Sequence, residues 1–263
     1  MNNNKIGIFD SGIGGVTVLK EILKILPNEN YIYYSDSKNN PYGDKNDEEI
    51  IKICDDIVNK FIQQKCKAIV IACNTASAKA VKYLREKYKE EIIIAIEPAY
   101  KMVHDFAYDK CTLVMATKGT IESEKFHALY HKYDNHKTYL MACPGLADII
   151  EEGNTDKIKE YLDSNLGEYK GKVKNVVLGC THYPLIQKEI KAILGNVTFF
   201  NGAPNLARHL NDVLKENDLL TNSIDLGNIQ FIDTSNSEFK SERFYKYLKI
   251  TWQFTIIKIK YNR

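Results

Sequence analysis

The chain has 263 residues, 44% of them hydrophobic, enough to bury a sizeable core and near the length at which one core divides into two. Its 36 basic side chains nearly cancel its 34 acidic ones, leaving a formal charge of +2, so no single-signed field is available to hold a nucleic-acid backbone or an anionic membrane. No apolar run approaches the roughly 20 residues that span a bilayer. Six cysteines without a C-x-x-C pair, behind a start that carries no export signal, read as a reduced, cytoplasmic protein whose partner is a small molecule.

The polar start Met1–Lys5 reads as a frayed end, and Ile6–Phe9 as a buried strand. The strand leads through Asp10-Ser-Gly-Ile-Gly-Gly15 into a helix with Val16, Leu19, Leu23 and Leu26 on one face, ended by Pro27. A second strand at Tyr31–Tyr34 precedes a polar loop with Asn40-Pro-Tyr-Gly43. A second helix then carries Ile50, Cys54, Ile57, Val58 and Phe61 at helical spacing. Ala68–Ala72 is a continuous apolar run, the pattern of a strand covered on both faces, with Cys73 at its end and a helix-prone segment at Ala76–Tyr88. Strands are expected again at Ile92–Ile96, Thr112–Ala116 and Thr138–Ala142. This alternation predicts an α/β fold of mostly parallel sheets with helices on both faces.

Asn175-Val-Val-Leu-Gly-Cys180-Thr-His-Tyr-Pro184 echoes Ala68-Ile-Val-Ile-Ala-Cys73-Asn-Thr-Ala76, and the two lie about one small α/β unit apart. Two pseudo-symmetric three-layer lobes are therefore expected, residues 1–97 with 203–263 and residues 98–202, each presenting one cysteine at a strand's carboxyl end. Residues 251–263 partly alternate and would either add an edge strand or hang free.

The thiolate, not the thiol, is the active form of cysteine, and a helix N-terminus favours it. Cys73 and Cys180 are both expected immediately before a helix, with Pro184 suited to the second helix's first turn. Cys54, on an apolar helix face, and Cys66, Cys111 and Cys143 read as packing residues. Asp10, Ser11 and Gly12 should share the rim with Cys73. No G-x-G-x-x-G is completed, since Thr17 stands at the third glycine's place, and an acidic residue beside the glycines would repel phosphate. Asp10 suits an ammonium group, a proton relay or a turn. His182 could exchange a proton with Cys180, and no further paired ligands make these two a metal site.

Taken together, Phe9-Asp-Ser-Gly-Ile-Gly-Gly15, Asn40-Pro-Tyr-Gly-Asp44, Ala72-Cys-Asn-Thr-Ala76, Ala116-Thr-Lys-Gly-Thr-Ile-Glu-Ser123 and Leu178-Gly-Cys-Thr-His-Tyr-Pro184 resemble the bacterial glutamate racemase family of the aspartate/glutamate racemase superfamily. The resemblance implies Cys73 and Cys180 as the two bases that invert glutamate at Cα, assisted by Asp10 and His182. It puts substrate contacts at Asp10, Ser11, Tyr42, Gly43, Asn74, Thr75, Thr181 and His182, with Thr117 or Thr120 and Glu151 as looser matches. It also implies that the active site lies in the cleft between the two lobes, and a homodimer whose D-glutamate supplies peptidoglycan synthesis. No lysine stands where a pyridoxal anchor would, so no cofactor is expected. His182 rather than glutamate after Cys180-Thr181 points to glutamate over aspartate. The rival readings are an aspartate or broad-specificity racemase, a silent amino-acid-binding protein that keeps the cleft, and a decarboxylase needing one thiol.

Overall fold

The computed structural model describes residues 4–248 and 255–261; residues 1–3 of the polar start, residues 249–250, and 251–254 and 262–263 of the tail lie outside the described residues. The first unit runs β1 (Ile6–Asp10), α1 (Val16–Ile25), β2 (Tyr31–Ser35), α2 (Asp47–Gln63), β3 (Ala68–Ile71), α3 (Asn74–Lys87) and β4 (Ile93–Ala95). The second runs α4 (Tyr100–Ala107), β5 (Thr112–Ala116), α5 (Lys118–Ile121), α6 (Glu124–Tyr133), β6 (Thr138–Ala142), α7 (Leu146–Glu152), α8 (Thr155–Leu166), β7 (Asn175–Gly179), a 3₁₀ turn at Tyr183–Ile186, α9 (Gln187–Leu194) and β8 (Thr198–Phe200). The chain then adds α10 (Ala203–Glu216), β9 (Asn228–Asp233), α11 (Glu238–Leu248) and β10 (Thr255–Lys260).

Two sheets result, ordered β10-β9-β2-β1-β3-β4 and β6-β5-β7-β8, and every pairing between these neighbours is parallel. Stripped of β9 and β10, the first sheet has the same order as the second: β1 to β4 correspond to β5 to β8. In each, the second strand lies to one side of the first and the third to the other, which leaves a crevice at the carboxyl ends where the winding reverses. β1 and β3 flank the first crevice and β5 and β7 the second.

Burial on both faces explains the strand composition. In β1, Ile6 and Ile8 join one core with α1 and α10, while Phe9 faces a second core with Ile50, Cys54 and Phe61 of α2. The second sheet is covered likewise, by Leu146, Leu162 and Ile190 on one face and by Tyr100, Val103 and Phe126 on the other. The N-terminus of α2 is fixed by a capping box, in which Asn46 accepts from the Glu49 N–H and the Glu49 carboxylate accepts from the Asn46 N–H. Among the described residues no helix is long and apolar enough to cross a membrane.

The alternation at the tail resolves as an edge strand: β10 pairs with β9 from Thr255↔Asn228 to Lys260↔Asp233. The helix expected directly after Cys180 requires correction. The chain there makes a 3₁₀ turn, with Pro184 in its first positions, and α9 starts only at Gln187. Pro184 fits either form because it constrains φ and not the hydrogen-bond period.

A buried ion pair ties the residue before β3 to the loop between α1 and β2, and both partners hold the segment after α10. Lys67 Nζ lies 2.6 Å from Glu29 Oε2, with both side chains almost fully buried. Glu29 also accepts from the Thr221 N–H at 2.8 Å, and Lys67 donates to the Leu219 carbonyl at 2.6 Å. Removing one partner of such a pair strands the other charge, so Glu29→Ala is expected to destabilise the fold by roughly 3–5 kcal/mol. A urea titration checks this, and an unchanged midpoint would contradict it.

Candidate active site

Cys73 and Cys180 line one narrow cavity, about 30 Å³, between the two sheets. Ser11, Tyr42, Gly43, Asn74, Thr75, Thr117, Thr181 and His182 line it with them. The fold brings these together because each lies just past a strand at one of the two crevices, apart from Tyr42 and Gly43 on the loop after β2. Asp10 and Glu151 stand behind the wall, and Thr120 supports it by accepting from Thr117 Oγ1 at 2.9 Å. A larger cavity of about 630 Å³ lies along the junction of the units and holds neither Cys73 nor Cys180. It shares Asn74 with the smaller one.

The walls are stitched across the sheets. Thr181 Oγ1 donates to Asp10 Oδ1 at 3.2 Å, Thr75 and Thr117 hydroxyls meet at 2.9 Å, and Thr17 Oγ1 donates to the Thr181 carbonyl at 3.0 Å. Asn40 Nδ2 donates to Asp148 Oδ1 at 2.7 Å. Asp10 also accepts from the Gly15 N–H at 2.9 Å and the Gly12 N–H at 3.3 Å, so the turn and site readings of this residue coexist in one carboxylate. Burial pushes the Asp10 carboxyl above the usual range, against the pull of His182.

The loop glycines serve close approach. A Cβ at Gly12 would overlap Glu151 Oε1, and one at Gly14 would sit 2.5 Å from His182 Nδ1. Without side chains here, the Ile13 N–H reaches Glu151 Oε1 at 2.6 Å.

The two thiols have different surroundings. Cys73 is the N-cap of α3, and its sulfur lies 3.9 Å from Ser11 Oγ. The helix start alone would help to ionise it, but burial wins: burial, then the charges of Asp10 and Cys180, push this thiol up to about 12 despite the Ala76 N–H and Ser11. In this narrow cavity Cys73 keeps its proton.

Cys180 has an imidazole for a neighbour instead of an α-helix start. Its sulfur lies 3.7 Å from His182 Nδ1, and His182 Nε2 is 2.7 Å from Glu151 Oε1. Burial would strip the proton from His182, but hydrogen bonds to Cys180 and Glu151, with their charges, hold the imidazolium well above its ordinary range. Burial likewise opposes ionisation of Glu151, yet His182, Lys240 and the Ile13 N–H keep the carboxyl below its usual range. A buried imidazolium between a sulfur and a carboxylate is a proton-holding arrangement.

Several lining residues went unassigned by sequence reasoning. Asn40, Pro41, Asp44 and Lys118 lie inside strings whose other members were singled out. Cys143, read as packing, is buried and also lines the cavity, and Asp148 had no signal beyond its place on α7. Cys54 and Cys66 are buried away from this cavity, and Cys111 is half-buried. Among the described residues no group of three or more His, Cys, Asp or Glu side chains is arranged to hold a metal ion.

The sequence profile of the family described as Asp/Glu/Hydantoin racemase matches residues 6–210. The chain belongs to this family. Among its members, the chain is 41% identical over 239 residues to a glutamate racemase of Clostridium perfringens, covering 89% of this chain and 92% of that one. The solved glutamate racemase of Bacillus anthracis superposes with a TM-score of 0.84 at 30% identity, over 98% of both chains. That of Francisella tularensis, solved in complex with D-glutamate, gives 0.82 at 32% identity, again over 98% of both.

Proposed function

We propose that this chain is a glutamate racemase, interconverting L- and D-glutamate by proton transfer at Cα between Cys73 on one face and Cys180 on the other. The observation that carries this reading is the pair of thiols lining one cavity from two sheets. A carbon acid as weak as Cα needs a base on one side, an acid on the other and help for the charge between them. Deprotonation moves the Cα hydrogen to a thiolate as H⁺ and leaves the electron pair delocalised into the α-carboxylate. The opposite thiol then supplies a proton to the other face and becomes the thiolate. Cys73 takes the proton from D-glutamate and Cys180 from L-glutamate.

Ser11, Thr75, Thr181 and the N–H groups at the start of α3 are the donors for the substrate carboxylates. Asn74 Oδ1, buried and without a hydrogen bond among the described residues, suits the α-ammonium. That ammonium also offsets the Asp10 charge that disfavours a Cys73 thiolate. Glutamate is larger than the closed cavity, so lobes cut near residues 97 and 202 part to admit it and close to exclude water. His182 after Cys180-Thr181 supports glutamate over aspartate. The wider reading is a cytoplasmic homodimer supplying D-glutamate for peptidoglycan.

The test is chiral analysis of L-glutamate incubated in D₂O with chelator-treated, pyridoxal-free protein, alongside L-aspartate. D-glutamate carrying deuterium at Cα is the expected product. Absence of inversion, or inversion with retained protium, would overturn the reading, and a preference for aspartate would reassign the substrate.

A further inference from the structure

α11 packs against α1 and β9 of the first unit, with Phe244 buried in that unit's core, yet its polar side chains reach α7 of the second. Arg243 Nη2 donates to the Ile150 carbonyl at 2.8 Å, and a Cβ at Gly153 would overlap its guanidinium. One turn earlier, Lys240 Nζ stands 3.5 Å from Glu151 Oε2. That oxygen is buried and takes no hydrogen bond among the described residues, whereas Oε1 is taken by the Ile13 N–H and His182. The ammonium faces the half of the carboxylate that its hydrogen-bond donors leave bare.

We propose that Lys240 is a positioning residue for the second thiol, fixing the shared proton of the Glu151–His182 pair on the imidazole, where it faces Cys180. The pair has two arrangements of one proton: carboxylate with imidazolium, or carboxylic acid with neutral imidazole. A cation beside Oε2 is closer to the carboxylate than to the ring, so it favours the first. The surrounding charges make this end of the pair decisive. Asp10 at the end of β1, Asp44 on the loop after β2 and Asp148 on α7 are the other acidic groups facing the site among the described residues, and all three add negative charge. Cys180, after β7, attracts the imidazolium from the far side. Lys240 supplies positive charge on the carboxylate side, from a helix that contributes nothing to the cavity wall.

This inference rests on Cys180 and His182 belonging to the racemase site. The test compares pH profiles of kcat/KM for Lys240→Met, Lys240→Arg and the unaltered enzyme, with thermal midpoints recorded for each. An opposite charge within a few ångströms moves a carboxylate by about 1–3 pH units, so the acid limb of Lys240→Met is expected to shift upward by about one unit or more. Its rate at neutral pH falls in step, and Lys240→Arg keeps the limb of the unaltered enzyme. An acid limb unmoved in Lys240→Met, whether or not its thermal midpoint drops, overturns the proposal, as does Lys240→Arg shifting as far as Lys240→Met. Failure of the underlying site reading has a different signature: full racemisation in Cys180→Ser.

Discussion

Replacing Cys73 or Cys180 with serine abolishes inversion, with each variant losing about 10³-fold or more in turnover, at the level expected for an essential proton-transfer group. An alcohol of ordinary acidity cannot serve as the base, and serine preserves the size of the site, so loss of fold is not the cause. The two variants also differ from each other. With Cys73 intact, Cys180→Ser can still remove the proton from D-glutamate and return solvent deuterium to the same face. With Cys180 intact, Cys73→Ser does the same for L-glutamate. Proton NMR in D₂O reads this as exchange without inversion, one enantiomer per variant. Near-normal racemisation in either variant would sink the two-base assignment, and exchange of the same enantiomer in both would reverse or erase the facial roles.

The second large effect belongs to Glu151→Gln, expected to lower kcat/KM by roughly 10²-fold at neutral pH, the lower range for losing proton-transfer assistance. The amide keeps the shape but removes the charge that, with Cys180, holds the His182 imidazolium. The pH effect has a definite sign. A histidine whose folded-state pKa is raised contributes stability that is present below its unfolded value and lost as pH rises through the folded one. Without Glu151 the folded value falls, so the alkaline limb of the rate profile and the alkaline edge of thermal stability both move to lower pH. Glu151 itself is held below its usual range, so its contribution is present above its unfolded value and lost as pH falls through the folded one. The variant should lack that acid-side loss. Parallel rate and melting profiles settle it, and an unmoved alkaline limb would show that Glu151 does not act through His182.

Much of this site could be read from residue order because the two units repeat one local grammar. A buried parallel strand has a continuous apolar signature, and the residues just past its carboxyl end fall at a crevice of the sheet. Asp10, Cys73 and Cys180 were therefore placeable from their strands alone. Residues that act through distant packing left no such trace. Lys240 and Arg243 sit on a helix of ordinary amphipathic pattern, and their contact with α7 exists only once α11 is laid against α1. β9 escaped notice because Asn228–Asp233 alternates only in part, and the tail's alternation, which becomes β10, is too short to separate an edge strand from a free end.

The ionisation of Cys73 was misjudged for a related reason. A helix start is visible in sequence, but the completeness of burial and the approach of Asp10 are not, and these outweigh the N–H of Ala76. The turn after Cys180 shows the converse. Its 3₁₀ form weakens the helix contribution, while His182, two residues on, supplies the positive charge.

Burial of the Cys73 sulfur has a consequence for the protein's durability. Oxidants and alkylating agents attack the thiolate, and climb toward sulfenic and sulfinic acids only where the sulfur is ionised and reachable. Cys73, only 5% exposed and keeping its proton in the narrow cavity, meets neither condition. The same environment that keeps the proton on this sulfur also spares it from damage.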